Sequence, residues 1–385
     1  MFLAAGPYFQ KRFKSSSWIL TNFQSTELTV STITNLGAII VLTNLQANAS
    51  YTKRIVVALG MNILSFTLLA ISTKVFTDVS AGVYFAFLIT QVLVASSACG
   101  IMQNGIYAYV SGFGREEYTQ GIMTGQAVAG VLPCVVQILS VISAPEPDQN
   151  EEFPEEKSSS AMAYFLTATG ISLFTLTAFS YLNSRHSHEN LHFKAAVADL
   201  ANSTQSLRKP VALKTLFRKT FWLATSVFIC FGVTMMYPVF TQQILSVRPA
   251  ETAPQLFKPA SFIPLAFLFW NSGDFVGRLL TAIPALRITH RPRLVFALAC
   301  SRIVFIPLYF LCNIRDHGAS INSDAFYLIV IELLFGMSNG YIGSACMMGA
   351  VEYVDVEERE ATGGFMGLML VAGLTTGSLL SFLVA

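Results

Sequence analysis

Charge is what this chain lacks. Only 12% of its 385 residues are charged and 53% are hydrophobic, where a soluble domain carries about a quarter charged residues. That scarcity excludes an ordinary soluble globular protein. The net charge of +2 is too small to argue for nucleic acid, and no Lys/Arg run of the binding-patch kind is present, so no nucleic-acid partner is expected. The six cysteines, Cys99, Cys134, Cys230, Cys300, Cys312 and Cys346, show no Cys-x-x-Cys spacing, so neither a redox dithiol nor a zinc ribbon is indicated and they read as small buried side chains. There is no Gly-x-x-x-x-Gly-Lys-Ser/Thr loop and no His-Glu-x-x-His, so neither ATP-driven nor zinc-protease chemistry is indicated. His186, His188 and His192 have no cysteine or acid to complete a metal set and read as a solvated cluster. No cofactor, no metal and no enzymatic activity are expected.

What is present is length in apolar runs. Spans of membrane-crossing length recur near residues 26–46, 54–74, 82–110, 119–143, 160–182, 221–246, 260–284, 294–313, 325–348 and 361–384. Ahead of them, Met1 to Gln10 is apolar but stops at Lys11, Arg12 and Lys14. Ten residues cover about 15 Å, half a bilayer core, and no basic region precedes them as in a signal peptide. The chain is therefore expected to start inside its first helix, truncated at the N-terminus. The fold class is an all-α polytopic membrane protein with ten complete transmembrane helices plus half of a first one.

Two connecting stretches stand out. Pro145 to Lys157 is acidic and reads as a solvated loop, and Ser184 to Thr220 is basic and divides the chain into an N-terminal half, 1–183, and a C-terminal half, 221–385. Placing the basic loop in the cytoplasm puts fourteen Lys/Arg inside against eight outside, which follows the positive-inside rule. The half-helix then enters from the cytoplasm. The sequons at Asn48 and Asn202 fall on the cytoplasmic side, so glycosylation is not expected.

Within the apolar run Phe262 to Leu280, only Asp274 and Arg278 are charged. A charge at bilayer depth costs ~2.5–3.5 kcal/mol on insertion scales, and such residues face a bundle interior or a wet cavity. Phe267, Asn271, Asp274 and Arg278 follow at i, i+4, i+7 and i+11, one helical face. An internal ion pair that only aids packing is the plain alternative. It leaves unexplained the amide and the ring on the same face, which suit a pocket for a polar, ring-containing solute. Gly100, Gln103, Asn104 and Tyr107 line another face; these amides either bond neighbouring helices or, as Gln103 can donate and accept, meet a heterocycle's edge.

Arg302 reads as a structural residue that snorkels or bonds helix ends. Glu332 is the only unpaired acid read inside a span, and no obligatory proton coupling is expected from it. Gly121-xxx-Gly125-xxx-Ala129, Gly336-xxx-Gly340-xxx-Ser344, Gly363-xxx-Gly367 and Gly373-xxx-Gly377 read as helix-packing seams.

Four blocks in order resemble the equilibrative nucleoside transporter family, in a fungal-type member. They are Pro7-Tyr-Phe9; Gly100 and Gln103, followed by Tyr118-Thr and Met123-Thr-Gly-Gln-Ala-Val-Ala-Gly130; Asn271-x-x-Asp274-x-x-Gly277-Arg278; and Arg302-Ile-Val-Phe-Ile-Pro-Leu with Cys312-Asn-Ile and Ser338-Asn-Gly-Tyr341. The Pro-Trp-Asn stretch that opens the family's first helix is missing. The resemblance implies eleven helices, a six-plus-five arrangement related to the major facilitator fold, and a central cavity. It also implies a substrate-binding set in which Asp274 and Arg278 meet the sugar hydroxyls, Gln103 meets the base, and Phe267 and Asn271 line the cavity, with Gly100 beside Gln103. The expected activity is facilitative transport of nucleosides, and of nucleobases as an extension, by alternating access. The partners are then a nucleoside and the lipid bilayer, in a plasma membrane or a vacuolar, lysosome-like membrane. A sugar or drug facilitator and a non-transporting receptor are the rival readings.

Overall fold

The computed structural model describes residues 6–46, 49–75, 79–143, 158–198, 211–249 and 253–381. They are helical throughout apart from loops and one isolated bridge, Ile244 to Ile314. In hydrocarbon every backbone donor and acceptor must be satisfied within the chain, which leaves helices as the solution for apolar runs of this length.

The chain runs α1 (Gly6–Arg12), α2 (Ser17–Asn44), α3 (Tyr51–Val75), α4 (Ala81–Gly112), α5 (Glu116–Ser143), α6 (Ser158–Ala198), α7 (Leu213–Thr234), α8 (Tyr237–Thr241), α9 (Pro259–Leu280), α10 (Pro292–Ser301), α11 (Phe305–Tyr309), a π-helical stretch (Phe326–Leu333), α12 (Leu334–Gly349) and α13 (Arg359–Ser381). Among the described residues, nine helices are long and apolar enough to cross a membrane. The 22-residue α9 is also long enough but less apolar, because it carries Asn271, Asp274 and Arg278. An all-α polytopic membrane protein is what the composition demanded.

The acidic stretch 145–157 and the asparagines of both sequons lie outside the described residues. The basic stretch Ser184 to Thr220, expected as a loop, is helical at both of its described ends: α6 continues to Ala198 and α7 begins at Leu213. The reason is local. Residues 184–198 hold no proline or glycine and several good helix formers, so the helix has no stop signal where its apolar run ends.

Two compact units emerge. The first holds α1 to α3, α4 as far as Ile106, and α6. Its core is aromatic: Phe9, Phe13, Phe23, Tyr84 and Phe165 are all buried, with Phe13 against Phe23, Tyr84 and Phe85. Polar side chains tie α2 to α4, Ser96 donating to Ser31 at 2.8 Å and Asn104 donating to Thr43 at 3.1 Å.

The second unit holds the end of α4, α5, and α7 to α13. Here α9 and α12 approach backbone to backbone. A Cβ added at Gly340 would lie 1.9 Å from the Asp274 carbonyl oxygen, and one at Gly277 would lie 2.1 Å from that of Met337. Only hydrogen fits at such contacts. Gly373 and Gly377 serve α13 against α7 in the same way, and Gly363 and Gly367 serve α13 against Tyr107 and Ser111 at the end of α4, so three of the four expected seams pack. The seam of Gly121 and Gly125 does not, since nothing lies within 4 Å of either position.

Candidate functional site

The close α9–α12 crossing sets the geometry of the acid and base read from the sequence. Asp274 and Arg278 are 3% and 6% exposed. Arg278 Nε donates to Asp274 Oδ2 at 2.8 Å, and Asn339 on α12 donates through Nδ2 to Asp274 Oδ1 at 2.7 Å. Both carboxylate oxygens therefore have a donor, which offsets the cost of burying the charge. Arg278 Nη1 reaches α5, donating to the Met123 carbonyl at 2.6 Å and to Gln126 Oε1 at 3.2 Å. Its Nη2 makes no hydrogen bond among the described residues. One end of the guanidinium is thus available to a further acceptor.

Asn271, one turn away, donates to the Phe267 carbonyl at 2.8 Å and lies 3.6 Å from Cys134 Sγ. Gly130 on α5 makes room for it, because an added Cβ would fall 2.3 Å from Asn271 Oδ1. The Phe267 ring meets Tyr237 edge-on at 5.7 Å, and Tyr237 stacks on Trp270 at 4.2 Å. The four residues of the predicted α9 face accordingly form one continuous surface, bounded by α5 on one side and aromatic rings on the other.

Gln103 and Gly100 lie in the first unit. Gln103 is half-buried, and its Oε1 is buried without a hydrogen bond. Its neighbour Asn104 is satisfied by Thr43 and by Arg54. The two amides thus part company, Asn104 joining helices and Gln103 keeping an unused acceptor. Gly100 is a packing position: an added Cβ would sit 2.9 Å from Ala38 Cβ and from the Asn35 carbonyl.

Arg302, 1% exposed, does not snorkel. It bonds the last turn of α7 at the Cys230 carbonyl, donates through Nη2 to Thr234 Oγ1 at 3.0 Å and through Nε to Ser338 at 3.0 Å, and lies 4.6 Å over the Phe335 ring. Thr234 also lies 2.7 Å from Asn339 Oδ1, so a polar chain runs from Arg302 to Asp274. Sequence reasoning missed Asn339 and Thr234, whose partners are more than 60 residues away.

Glu332 is fully buried, and Thr241 Oγ1 donates to its Oε1 at 2.7 Å. It is not alone as an acid without a counter-charge inside a span. Glu27 on α2 is 3% exposed, and neither of its oxygens holds a hydrogen bond. It lies near the start of an apolar run, where one polar residue reads as the water boundary, but α2 begins ten residues earlier, at Ser17, and carries it to depth.

Helices of this number and length define a polytopic membrane protein, with a buried ion pair on one of its helices. The structure of the major facilitator superfamily transporter FucP in its outward conformation superposes with a TM-score of 0.55 at 13% identity, covering 98% of this chain and 90% of that one. Residues 88–385 match the nucleoside transporter family, and the chain belongs to it. It is similar to the nucleoside transporter FUN26 of Saccharomyces cerevisiae, 28% identical over 99% of this chain and 80% of the relative. It is likewise similar to equilibrative nucleoside transporter 1 of Homo sapiens, 28% identical over 86% and 75%, and to equilibrative nucleoside transporter 2 of Homo sapiens, 27% identical over 99% and 92%.

Proposed function

We propose that this chain carries nucleosides across a membrane down their gradient, by alternating access between two helical groups in a six-plus-five arrangement. The observation that carries the reading is the half-used ion pair. Asp274 and Arg278 stabilise one another at depth, yet Arg278 Nη2 remains unbonded and each carboxylate oxygen accepts only one hydrogen bond. A pair meant only for packing gains from closing its last valences; a pair that grips and releases a solute must leave some open. Vicinal sugar hydroxyls, which both donate and accept, fit a carboxylate beside a guanidinium. Phe267 and Asn271 flank the sugar-binding pair, and Gln103 is proposed to meet the base. Membership of a family whose relatives are named nucleoside transporters supports the same substrate class.

The test is uptake into proteoliposomes of labelled uridine, adenosine and glucose. Saturable nucleoside flux that reaches but does not exceed equilibrium is expected, with no glucose flux. Absence of nucleoside flux from correctly folded protein rejects the proposal, and accumulation driven by an imposed pH difference rejects its uncoupled character.

A further inference from the structure

A glutamine on α5 that the expected binding set omits is held by two neighbouring donors with its NH2 group turned away from them. Gln126 Oε1 accepts from two donors, Arg278 Nη1 at 3.2 Å and Tyr107 Oη at 3.1 Å. A guanidinium has no acceptor, so the atom facing it must be the amide oxygen, and the NH2 group is forced to the opposite side. That NH2 makes no hydrogen bond among the described residues, and the side chain is exposed.

The surface it occupies is not the lipid face. Gln126, Gly130, Pro133 and Gln137 follow at i, i+4, i+7 and i+11 and share one side of α5. The exposed apolar ridge of Val128, Leu132, Val136 and Leu139 lies on the far side of the same helix. An amide pointing two free donors into hydrocarbon is costly, whereas the Gln126 side also carries Gly130, against which Asn271 rests. The amide therefore looks toward the surface that Asp274, Arg278 and Asn271 form.

We infer that Gln126 is a further substrate-contacting residue, its NH2 donating to a hydroxyl oxygen of the sugar next to the one held by Arg278 Nη2. Two donors side by side beside a carboxylate favour a polyol edge, whose oxygens accept while its protons go to Asp274. The same arrangement disfavours a sugar with an oxygen missing. This inference rests on the nucleoside reading proposed above.

Gln126→Glu is the informative change. It keeps an oxygen for Arg278 and Tyr107 and replaces the NH2 by an anionic acceptor, so a merely bracing role is preserved or strengthened by it. Uptake of uridine and of its 2′-, 3′- and 5′-deoxy analogues is measured in proteoliposomes, with melting temperature in detergent as the folding control. Loss of one hydrogen bond predicts a rise of about three- to tenfold in uridine KM, with the penalty disappearing for the one analogue that lacks the contacted oxygen. An unchanged uridine KM, or the same penalty on all three analogues, overturns the inference. If Gln126→Glu does not fold, Gln126→Met is read by the same criteria. Failure of the unmodified protein to carry uridine rejects the nucleoside reading instead.

Discussion

Two buried arginines of the second unit, Arg278 and Arg302, sit at similar burial and have opposite surroundings. Arg302 faces no carboxylate; its Nε and both terminal nitrogens are taken by neutral partners, Ser338, Cys230 and Thr234, and its plane is covered by Phe335. Arg278 has a carboxylate on its own helix and leaves Nη2 unbonded. A cation with every nitrogen engaged and its plane covered is committed to the fold and serves to join α7, α12 and the segment after α10. A cation with a spare donor beside a half-used carboxylate has the capacity that the proposed recognition role requires. Residual hydrogen-bonding capacity, rather than burial or charge, separates the two.

The widest break in this comparison comes from removing the counter-charge. Asp274→Asn leaves Arg278 at depth without its partner, and truncating a buried hydrogen-bonded charge pair costs ~2–5 kcal/mol, or ~30-fold or more. Near-complete loss of uridine uptake is expected with the protein still in the membrane. Wild-type flux in that variant would remove Asp274 from the site.

Exchanging the arginines for lysine divides them next. Arg278→Lys is expected to abolish uptake at normal abundance, because a point charge does not replace a planar fork. Arg302→Lys should instead lower the melting temperature and abundance, with uptake per folded molecule retained. The two roles as assigned are wrong if both variants fail in the same way.

Asn339 sharpens the comparison because it touches the acid of one arginine and, through Thr234, the other. Asn339→Leu leaves Asp274 Oδ1 short of its 2.7 Å donor, an unsatisfied group worth ~1–3 kcal/mol. Uridine KM should rise roughly tenfold. A melting temperature that falls while KM stays constant would show that Asn339 supports the fold and not the carboxylate.

Glycine substitutions give the smaller effects. Gly340→Ala drives a methyl into the Asp274 carbonyl and should cost about 1–3 kcal/mol by overpacking, read as a lower melting temperature. Gly121→Ala, with nothing within 4 Å, should be neutral or stabilising by up to ~1 kcal/mol through helix propensity. A large loss in Gly121→Ala would mean that this seam is packed during the transport cycle.

The α9 face was legible in the sequence because a helix repeats every 3.6 residues and charge is rare at bilayer depth, so Phe267, Asn271, Asp274 and Arg278 declared both their shared side and their cost. The apolar run lengths determined the membrane class and the order of spans for the same reason. Periodicity says which residues of one helix point together, but nothing about what faces them from another. Whether Asn104 or Gln103 would keep an unused atom depended on where Thr43 and Arg54 lie. Glu27 was hidden because helix α2 starts earlier than its hydrophobic run. Asn339, Thr234 and Gln126 acquired their roles only when glycines let α9 approach α12 within backbone contact and α5 was set against Arg278. Hydrogen bonds over such sequence separations are properties of the packing, and tertiary structure alone decided them.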